Sequence, residues 1–185
     1  MKIKPCKIPE VKLCIPTLIE DSRGYFFEAY NEKTFHQQGI SDTFVQDNQS
    51  ESKKGILRGL HFQTQPMSQS KLVRVLEGEI FDVAVDLRPN SPTYKQWVGE
   101  YLSDKNHRYL YVPVGFAHGF CVTSDKAVVL YKCNQFYSKE HDRSIAYNDP
   151  EINVEWPLLE KPVISDKDKN APLLSDYIQS DPFKW

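Results

Sequence analysis

The sequence predicts an all-β fold, a sandwich or jelly-roll β-barrel with short peripheral helices. Three observations support this prediction. Short apolar runs of strand length recur along the chain, polar turn sequences separate them, and little of the chain has a helical pattern. A chain of 185 residues can bury a sizeable core in one domain. We therefore expect residues 1–185 to form a single domain, with a C-terminal tail from about residue 173.

The clearest predicted strand runs from Glu79 to Leu87. Apolar side chains at its odd-numbered positions alternate with Asp82 and Asp86, so one face of the strand is expected to pack on the core. Turn sequences such as those at 88–92 and 103–106 lie between the predicted strands. The other predicted strands are 24–30, one that passes through residue 58, 72–76, 97–102, 108–112, 116–123 and 126–133.

Two short helices are predicted. Asn31 is a suitable N-cap for a helix over 31–38 that stops at Gly39. Ser165 and Asp168 have the spacing of a capping box and predict one helical turn before Pro172. The tail, 173–185, ends in aromatic residues and is expected to pack on the body of the protein or on a partner subunit.

Composition argues against several classes of protein. The net charge of −2 gives no reason to expect nucleic-acid binding. No apolar run approaches a membrane span, and the N-terminus does not resemble a signal peptide. The four cysteines contain no CxxC pair, and Cys121 and Cys133 lie in apolar runs typical of small buried thiols. We expect a reducing cytoplasm, although a disulfide remains an alternative.

Three side chains suggest acid–base chemistry without a cofactor. Period-two alternation places Lys71 on one face with Val73 and Val75, and Tyr131 on one face with apolar neighbours. The same rule places His61 with Leu57, Gly59 and Gln63. A base, a cation and a phenol inside one barrel could move a proton beside a carbonyl group. Taken singly, each residue has a structural alternative: a core histidine, a solvated lysine or a core tyrosine.

A metal site is the main chemical alternative. Residues 113–118 contain Pro-x-Gly-x-x-His, which resembles the second motif of the cupin barrels. Metal-binding cupins also need two histidines one residue apart, and here Gln63 follows His61 at that spacing. Two histidines alone make a poor transition-metal site. We therefore expect no metal, and we interpret His118 as a polar contact in the pocket or as structural support for the turn.

The basic residues Arg23, Arg58 and Lys71 could bind a diphosphate, because guanidinium groups form bidentate contacts with phosphate. The aromatic side chains of Phe26 and Tyr137 could stack on a base. Each of these residues also has an ordinary surface role as its alternative.

Seven motifs carry a resemblance to a known family. They lie at 21–28, 44–48, 55–63, 71–75, 78–88, 113–120 and 130–133. With these motifs the chain resembles, from about residue 9 to residue 174, the dTDP-4-dehydrorhamnose 3,5-epimerases, which are cupin jelly rolls. Two positions depart from the family pattern. Phe62 stands where many relatives have Tyr, and Asp142 stands where Glu is usual, which shortens the arm of a potential ligand contact.

The resemblance implies roles for individual residues. His61 would remove the protons at C3 and C5 of a 4-keto sugar, and Asp168 would orient its ring. Lys71 would stabilise the enolate oxygen, and Tyr131 would return a proton from the opposite face. An open alternative is that Asp168 only caps a helical turn. Tyr137 would stack on thymine. All the residues implied to bind the substrate are Arg23, Phe26, Glu28, Gln46, Asn48, Arg58, His118, Tyr137, Asp142 and Lys167.

The implied activity needs no cofactor and acts on a dTDP-4-keto-6-deoxy sugar in the cytoplasm. Relatives imply a homodimer, and exposed aromatic strands would be a liability in a monomer. Three other functions remain open. The first is epimerisation at a single carbon, C3 or C5, or isomerisation of another dTDP-keto sugar. The second is metal-dependent cupin chemistry such as a dioxygenase reaction, and the third is sugar binding without catalysis.

Overall fold

The structure, a computed structural model, describes residues 1–158 and 160–178 and is built mainly from β-strands. The strands are β1 (Lys2–Pro5), β2 (Lys12–Ile15), β3 (Ile19–Asp21), β4 (Gly24–Phe26), β5 (Gln46–Lys53), β6 (Leu57–Gln63), β7 (Lys71–Glu77), β8 (Glu79–Asp86), β9 (Trp97–Ser103), β10 (Tyr109–Val112), β11 (Phe116–Val122), β12 (Lys126–Cys133) and β13 (Asp142–Ser144). The helices are α1 (Glu32–Gln37), α2 (Asp166–Lys169) and α3 (Leu174–Ile178).

Two antiparallel sheets form a cupin-like sandwich, which confirms the predicted fold class. One sheet has six strands in the order β1-β2-β10-β7-β12-β5, and the other has five in the order β13-β6-β11-β8-β9. Between them lies a core to which both sheets contribute, for example Val73, Ile80, Phe120 and Val129. Strands β3 and β4 form a separate hairpin.

Both faces of the five-stranded sheet are buried. On β8, Phe81, Val83 and Val85 pack into an outer core, whereas Ile80 and Ala84 face the inner core. The predicted alternation of this strand is therefore confirmed, and Asp82 and Asp86 on the inner face are also fully buried. Such two-sided burial explains why these strands consist largely of apolar residues.

The two predicted helices are present. Asn31 caps α1 by accepting a hydrogen bond from the Thr34 N–H at 3.2 Å, and Ser165 caps α2. The described part of the tail forms α3, which packs on the body of the protein, because Leu174 is fully buried and the Tyr177 hydroxyl donates to the Ser144 carbonyl at 2.9 Å. Residues 179–185, the aromatic end of the tail, lie outside the described residues.

Several elements differ from the sequence prediction. The strand predicted over 24–30 ends at Phe26, and the chain turns toward α1. Strands β1, β2, β3, β5 and β13 were not predicted, because they are short or polar; β5 reads QDNQSESK. All four cysteines are free thiols, and Cys121 and Cys133 are fully buried, as predicted. No described helix is long and apolar enough to cross a membrane.

A bulge in β6 sets the direction of the side chains that face the sandwich interior. His61 lies opposite His118 on β11, but Arg58 lies opposite Phe120, so three steps on β6 match two on β11. Strict alternation would put Arg58 and His61 on opposite faces. Strict alternation does not hold across the bulge, because both residues line the same cavity.

Gly59 makes this bulge possible. Its φ of +137° is a conformation that side chains strongly disfavour, and a Cβ at this position would lie 2.5 Å from the Cα of Gly119. The backbones of β6 and β11 are therefore in close contact at the bulge. Any side chain here would push apart the strands that carry His61 and His118.

We predict that Gly59→Ala destabilises the fold much more than Gly55→Ala. Gly55 also has a positive φ, +77°, but a Cβ there would meet nothing within 4 Å. We expect about 1 kcal/mol of lost stability for Gly55→Ala and about 3 kcal/mol or more for Gly59→Ala. Urea denaturation measures both variants. Equal losses would show that the contact with Gly119 does not constrain the fold.

Candidate active site

A cavity with two adjoining lobes opens into the sandwich, and His61, Lys71 and Tyr131 border both lobes. Each lobe has a volume of about 420 Å³, which is within the usual range for small-molecule sites. The first lobe is lined by Ser50, Ile56, Leu57, Arg58, His118, Phe120, Val163, Ile164, Ser165 and Asp168. The second is lined by Gln46, Asn48, Phe62, Gln63, Gln69, Tyr137, Asp142 and Lys167.

The imidazole of His61 is paired with the carboxylate of Asp168. The Nε2 atom of His61 lies 2.6 Å from Oδ1 of Asp168. The Asp168 side chain is only 3% exposed, whereas that of His61 is 30% exposed because its ring borders the cavity. The carboxylate of Asp168 is thus buried and holds the His61 ring, which remains accessible from the cavity.

Asp168 reaches His61 because the segment before α2 runs along the start of β6. Val163 pairs with Ile56 in a parallel bridge, and its carbonyl accepts from the Leu57 N–H at 3.0 Å. Ser165 then caps α2 by accepting from the Asp168 N–H at 3.1 Å. Ser165 is therefore the N-cap, and the Asp168 carboxylate is directed to His61.

The environment of Asp168 favours its ionised form. Burial acts to raise the pKa of this carboxyl group, but hydrogen bonds from His61, Ser165 and the Gly59 backbone outweigh burial and lower the pKa. An ionised carboxylate only accepts hydrogen bonds, so Nε2 of His61 must carry the proton. The neutral ring then has its lone pair on Nδ1, which no described residue hydrogen-bonds.

Lys71 and Tyr131 lie beside one another on β7 and β12. The Lys71 Nζ atom is 5.9 Å from the centroid of the Tyr131 ring. Burial lowers the pKa of Lys71, and nearby negative groups, Asp82 among them, oppose this effect. Burial raises the pKa of Tyr131, so its hydroxyl group stays protonated over a wide pH range.

His118 forms a second, fully enclosed pair with Asp82. Its Nε2 atom lies 2.7 Å from Oδ1 of Asp82, and the two side chains are 6% and 0% exposed. Burial lowers the pKa of His118 despite the neighbouring carboxylate. At neutral pH His118 is therefore a neutral hydrogen-bonding group in the wall of the first lobe.

Polar side chains of β5 and of the loop around residue 137 form the wall of the second lobe. Gln46 donates to Asn48 at 3.0 Å and accepts from the Tyr137 backbone N–H at 2.9 Å. Asp142 receives hydrogen bonds from the Tyr137 hydroxyl at 3.2 Å and from Lys167 at 2.5 Å. Thus Gln46, Asn48, Tyr137, Asp142 and Lys167 come together as a single polar surface with one exposed aromatic ring.

The cavity has a positive character. Arg58 donates to the Ser52 hydroxyl at 3.0 Å and to the Glu51 carbonyl at 3.3 Å, both on β5. Within residues 1–158 and 160–178, neither Arg58 nor Lys71 forms an ion pair with a carboxylate. Asp168 and Asp142, by contrast, are paired with His61 and Lys167. The two unneutralised cations suit an anionic ligand such as a diphosphate.

Three of the expected binding residues do not reach this cavity. Arg23 and Phe26 belong to the β3–β4 hairpin, where Arg23 pairs with Asp21 and Phe26 is 67% exposed. Glu28 accepts a hydrogen bond from Asn31 at 3.0 Å, next to α1. Within one chain, therefore, the structure separates Arg23, Phe26 and Glu28 from the other candidate residues.

Some residues that line the cavity were not among the candidates that we identified from the sequence. Ser50 and Phe120 line the first lobe, and Gln69 lines the second. Ser50 shares an inward face with Gln46 and Asn48, and period-two alternation along β5 would have identified it had this polar strand been recognised. Gln69 lies in an irregular loop, for which no periodic signal exists.

The part of the chain that the structure describes contains no group of three or more His, Cys, Asp or Glu side chains arranged to hold a metal ion. The Pro-x-Gly-x-x-His motif has a different structural role here. Gly115 adopts a φ of +90° in the turn before β11, and His118 on that strand bonds Asp82.

Residues 5–176 match the dTDP-4-dehydrorhamnose 3,5-epimerase family. A relative of that name from Shigella flexneri is 50% identical over 177 residues, covering 95% of this chain and 97% of its own. Because the match spans nearly the whole length, the chain belongs to this family of isomerases, and it is an epimerase that acts on carbohydrates.

Solved structures of relatives agree with the fold. The Legionella pneumophila enzyme, solved in complex with dTDP-4-keto-L-rhamnose, has a TM-score of 0.91 and 49% identity, with 94% of this chain and 93% of that chain covered. The Mycobacterium tuberculosis RmlC epimerase has a TM-score of 0.95 at 39% identity, with 98% and 92% covered.

We predict that the stability contributed by Asp168 is lost in acid. The pKa of Asp168 is lower in the folded protein than its unfolded value of about 3.9, so its stabilisation is present above about pH 4 and disappears as pH falls through the folded pKa. The difference in free energy of unfolding between the wild type and Asp168→Asn should therefore shrink between about pH 5 and pH 3.

Urea denaturation at both pH values measures this difference. Asp166→Asn is the matched control on the same helix, because the Asp166 side chain is 92% exposed and its ion pair is at the surface. An Asp168→Asn difference that is the same at both pH values would contradict the assignment of an ionised, hydrogen-bonded carboxylate.

Proposed function

We propose that this protein is a dTDP-4-dehydrorhamnose 3,5-epimerase. It converts dTDP-4-dehydro-6-deoxy-D-glucose to dTDP-4-dehydro-L-rhamnose by removing and returning protons at C3 and C5, without a metal or another cofactor. The observation that carries the proposal is the placement of His61, Lys71 and Tyr131 where the two lobes meet. His61, anchored by Asp168, lies on the five-stranded sheet, and Lys71 and Tyr131 lie on the facing six-stranded sheet.

His61 serves as the base in this proposal. Its Nδ1 atom has a lone pair while Asp168 holds the Nε2 proton, so the ring can accept a proton from a carbon next to the ketone. The protonated His61 is then a cation, and the adjacent ionised carboxylate of Asp168 stabilises this positive charge. Because both C3 and C5 are adjacent to the C4 ketone, one base can serve both positions if the sugar ring turns slightly between the two steps.

Lys71 stabilises the enolate that forms when the proton leaves. Its ammonium group has no ion-pair partner in the described part of the chain, so its charge is available to the C4 oxygen. Burial strengthens this interaction, because the surroundings of Lys71 screen the charge less than water does. The same burial lowers the pKa of Lys71, so activity should decline with rising pH earlier than for an exposed lysine.

Tyr131 returns a proton from the side of the sugar opposite His61. Its raised pKa keeps the hydroxyl group protonated until it donates. Inversion at a carbon requires that removal and return take place on opposite faces, so a second acid–base group is needed. A non-catalytic sugar-binding protein would have no need for these three groups together.

The second lobe would receive the nucleotide. Tyr137 offers an exposed ring on which thymine can stack, and Gln46, Asn48 and Asp142 offer hydrogen bonds. Arg58, His118 and Lys167 would hold the diphosphate and the sugar. The short side chain of Asp142 accepts hydrogen bonds from Lys167 and Tyr137, so a ligand bound there shares or replaces these contacts.

We also propose a homodimer in the cytoplasm. Ile19, Tyr25 and Phe26 on the β3–β4 hairpin are 64%, 57% and 67% exposed, which is unusual for large apolar side chains clustered on one short element. If the hairpin of one protomer covered the second lobe of the other, Arg23 and Phe26 would reach a nucleotide. The free thiols and the nucleotide-sugar substrate both suit a reducing compartment.

We expect His61→Ala to reduce turnover by at least roughly 10²-fold while the fold is retained, because a general base is lost. Steady-state assays with the dTDP-4-keto sugar measure turnover, and circular dichroism verifies folding. His36→Ala, at an exposed histidine in α1, should behave as the wild type. A folded His61→Ala variant with normal turnover would refute the assignment of the base.

Turnover in D₂O should introduce deuterium at both C3 and C5 of the sugar. Both carbons exchange because each loses a proton to His61 and regains one that has equilibrated with solvent. Proton NMR of the product identifies the labelled positions. Label at a single carbon would instead establish the single-site epimerase that we consider as the alternative function.

The double variant Arg23→Ala/Phe26→Ala should raise the KM for the sugar nucleotide roughly tenfold, because it removes a stacking ring and a cation. Mixing it with His61→Ala should restore a low KM, since a mixed dimer combines an intact His61 with an intact hairpin from the other subunit. If the mixture keeps the raised KM of the double variant, the hairpin does not act on the partner's site.

A further inference from the structure

A serine in the first lobe has an unexplained hydroxyl group. Among the described residues, two solvent-shielded side-chain atoms have no hydrogen-bond partner: Ser50 Oγ and Asp82 Oδ2. Asp82 is bonded to His118 through its other oxygen, so its position is explained. Ser50 makes no other side-chain hydrogen bond, although its side chain lines the cavity. Such unsatisfied groups are rare in native proteins and call for a specific reason.

The surroundings of Ser50 show that a polar side chain is not needed there for folding. Ser50 lies opposite Val129, a fully buried residue of the inner core, in the pairing of β5 with β12. An alanine would pack against Val129 without leaving a hydroxyl unsatisfied. By contrast, Asn48 and Ser52, the neighbours of Ser50 on the same face of β5, both form hydrogen bonds, with Gln46 and Arg58 respectively.

The position of Ser50 within the cavity indicates which part of the ligand it meets. Ser50 lines the first lobe with His118 and Asp168, whereas Tyr137 lines the second lobe. If thymine stacks on Tyr137 and the ketone lies where the two lobes meet, the rest of the sugar extends toward Ser50. The ligand in this lobe is thus a hydroxylated sugar ring, and rotation about the Cα–Cβ bond can turn the hydroxyl group toward it.

We propose that Ser50 is a substrate-contacting residue whose hydroxyl group hydrogen-bonds a hydroxyl of the sugar ring and so distinguishes the nucleotide sugar from the free nucleotide. This inference rests on the proposed function, because it needs the sugar in the first lobe. Among the described residues the hydroxyl has no partner, and the sugar supplies one. Ser50 therefore contributes to binding at some expense of stability.

The test compares two ligands with the wild type and Ser50→Ala by isothermal titration calorimetry. The ligands are dTDP and dTDP-6-deoxy-D-glucose, which has no ketone and cannot be epimerised. We expect Ser50→Ala to weaken binding of the sugar nucleotide roughly two- to tenfold, the effect of one neutral hydrogen bond, and to leave dTDP binding unchanged. Gln49→Ala, at the adjacent exposed position of β5, should change neither affinity.

Thermal unfolding separates a binding role from a structural one. The Tm of Ser50→Ala should equal or exceed that of the wild type, because the variant removes an unsatisfied buried hydroxyl group. A lower Tm, unchanged affinity for both ligands, or an equal loss for both ligands would overturn the proposal. If the wild type itself bound neither ligand, the proposed function would fail, and the role of Ser50 would fail with it.

Discussion

The candidate site depends first on the hydrogen bond between His61 and Asp168. At 2.6 Å it joins a ring on β6 to a carboxylate that follows 107 positions later in the chain. The bond determines which ring nitrogen has a proton, and thereby which one faces the cavity as a base. It forms only because Val163 pairs with Ile56 and Ser165 caps α2, so that short, local backbone interactions place Asp168 correctly.

The rest of the sandwich makes this bond chemically useful. The β6 bulge at Gly59 directs both Arg58 and His61 into one cavity, and the packing of the two sheets places Lys71 and Tyr131 on the sheet that faces them. Burial then acts on the charged groups in different ways. It lowers the pKa of Lys71 and raises that of Tyr131, whereas hydrogen bonds keep Asp168 ionised. The unpaired hydroxyl of Ser50 is consistent with a site arranged for its ligand rather than for maximum stability.

The sequence predicted elements whose pattern is local. The alternation in β8, the Asn31 cap and the Ser165 cap were all visible, because hydrophobic period and capping depend on neighbouring residues. The polar strand β5 was missed, since an edge strand whose inward side chains line a polar cavity has no apolar period. Strict alternation also fails between Arg58 and His61, because the bulge that brings them to one cavity depends on the contact between Gly59 and Gly119 across strands. The role of Asp168 came from family resemblance, since pairing over such a separation leaves no local signal.

The most direct test of the account is the protonation state of the His61 ring, measured by nitrogen-15 NMR of the unliganded protein at a pH where the ring is neutral. The signals are assigned by comparison with His61→Ala. We predict that Nε2 carries the proton and that Nδ1 has the chemical shift of an unprotonated ring nitrogen. In Asp168→Asn the preference of the proton for Nε2 over Nδ1 should weaken. A proton on Nδ1 in the wild type would contradict the central claim, because the cavity would then face a donor instead of a base.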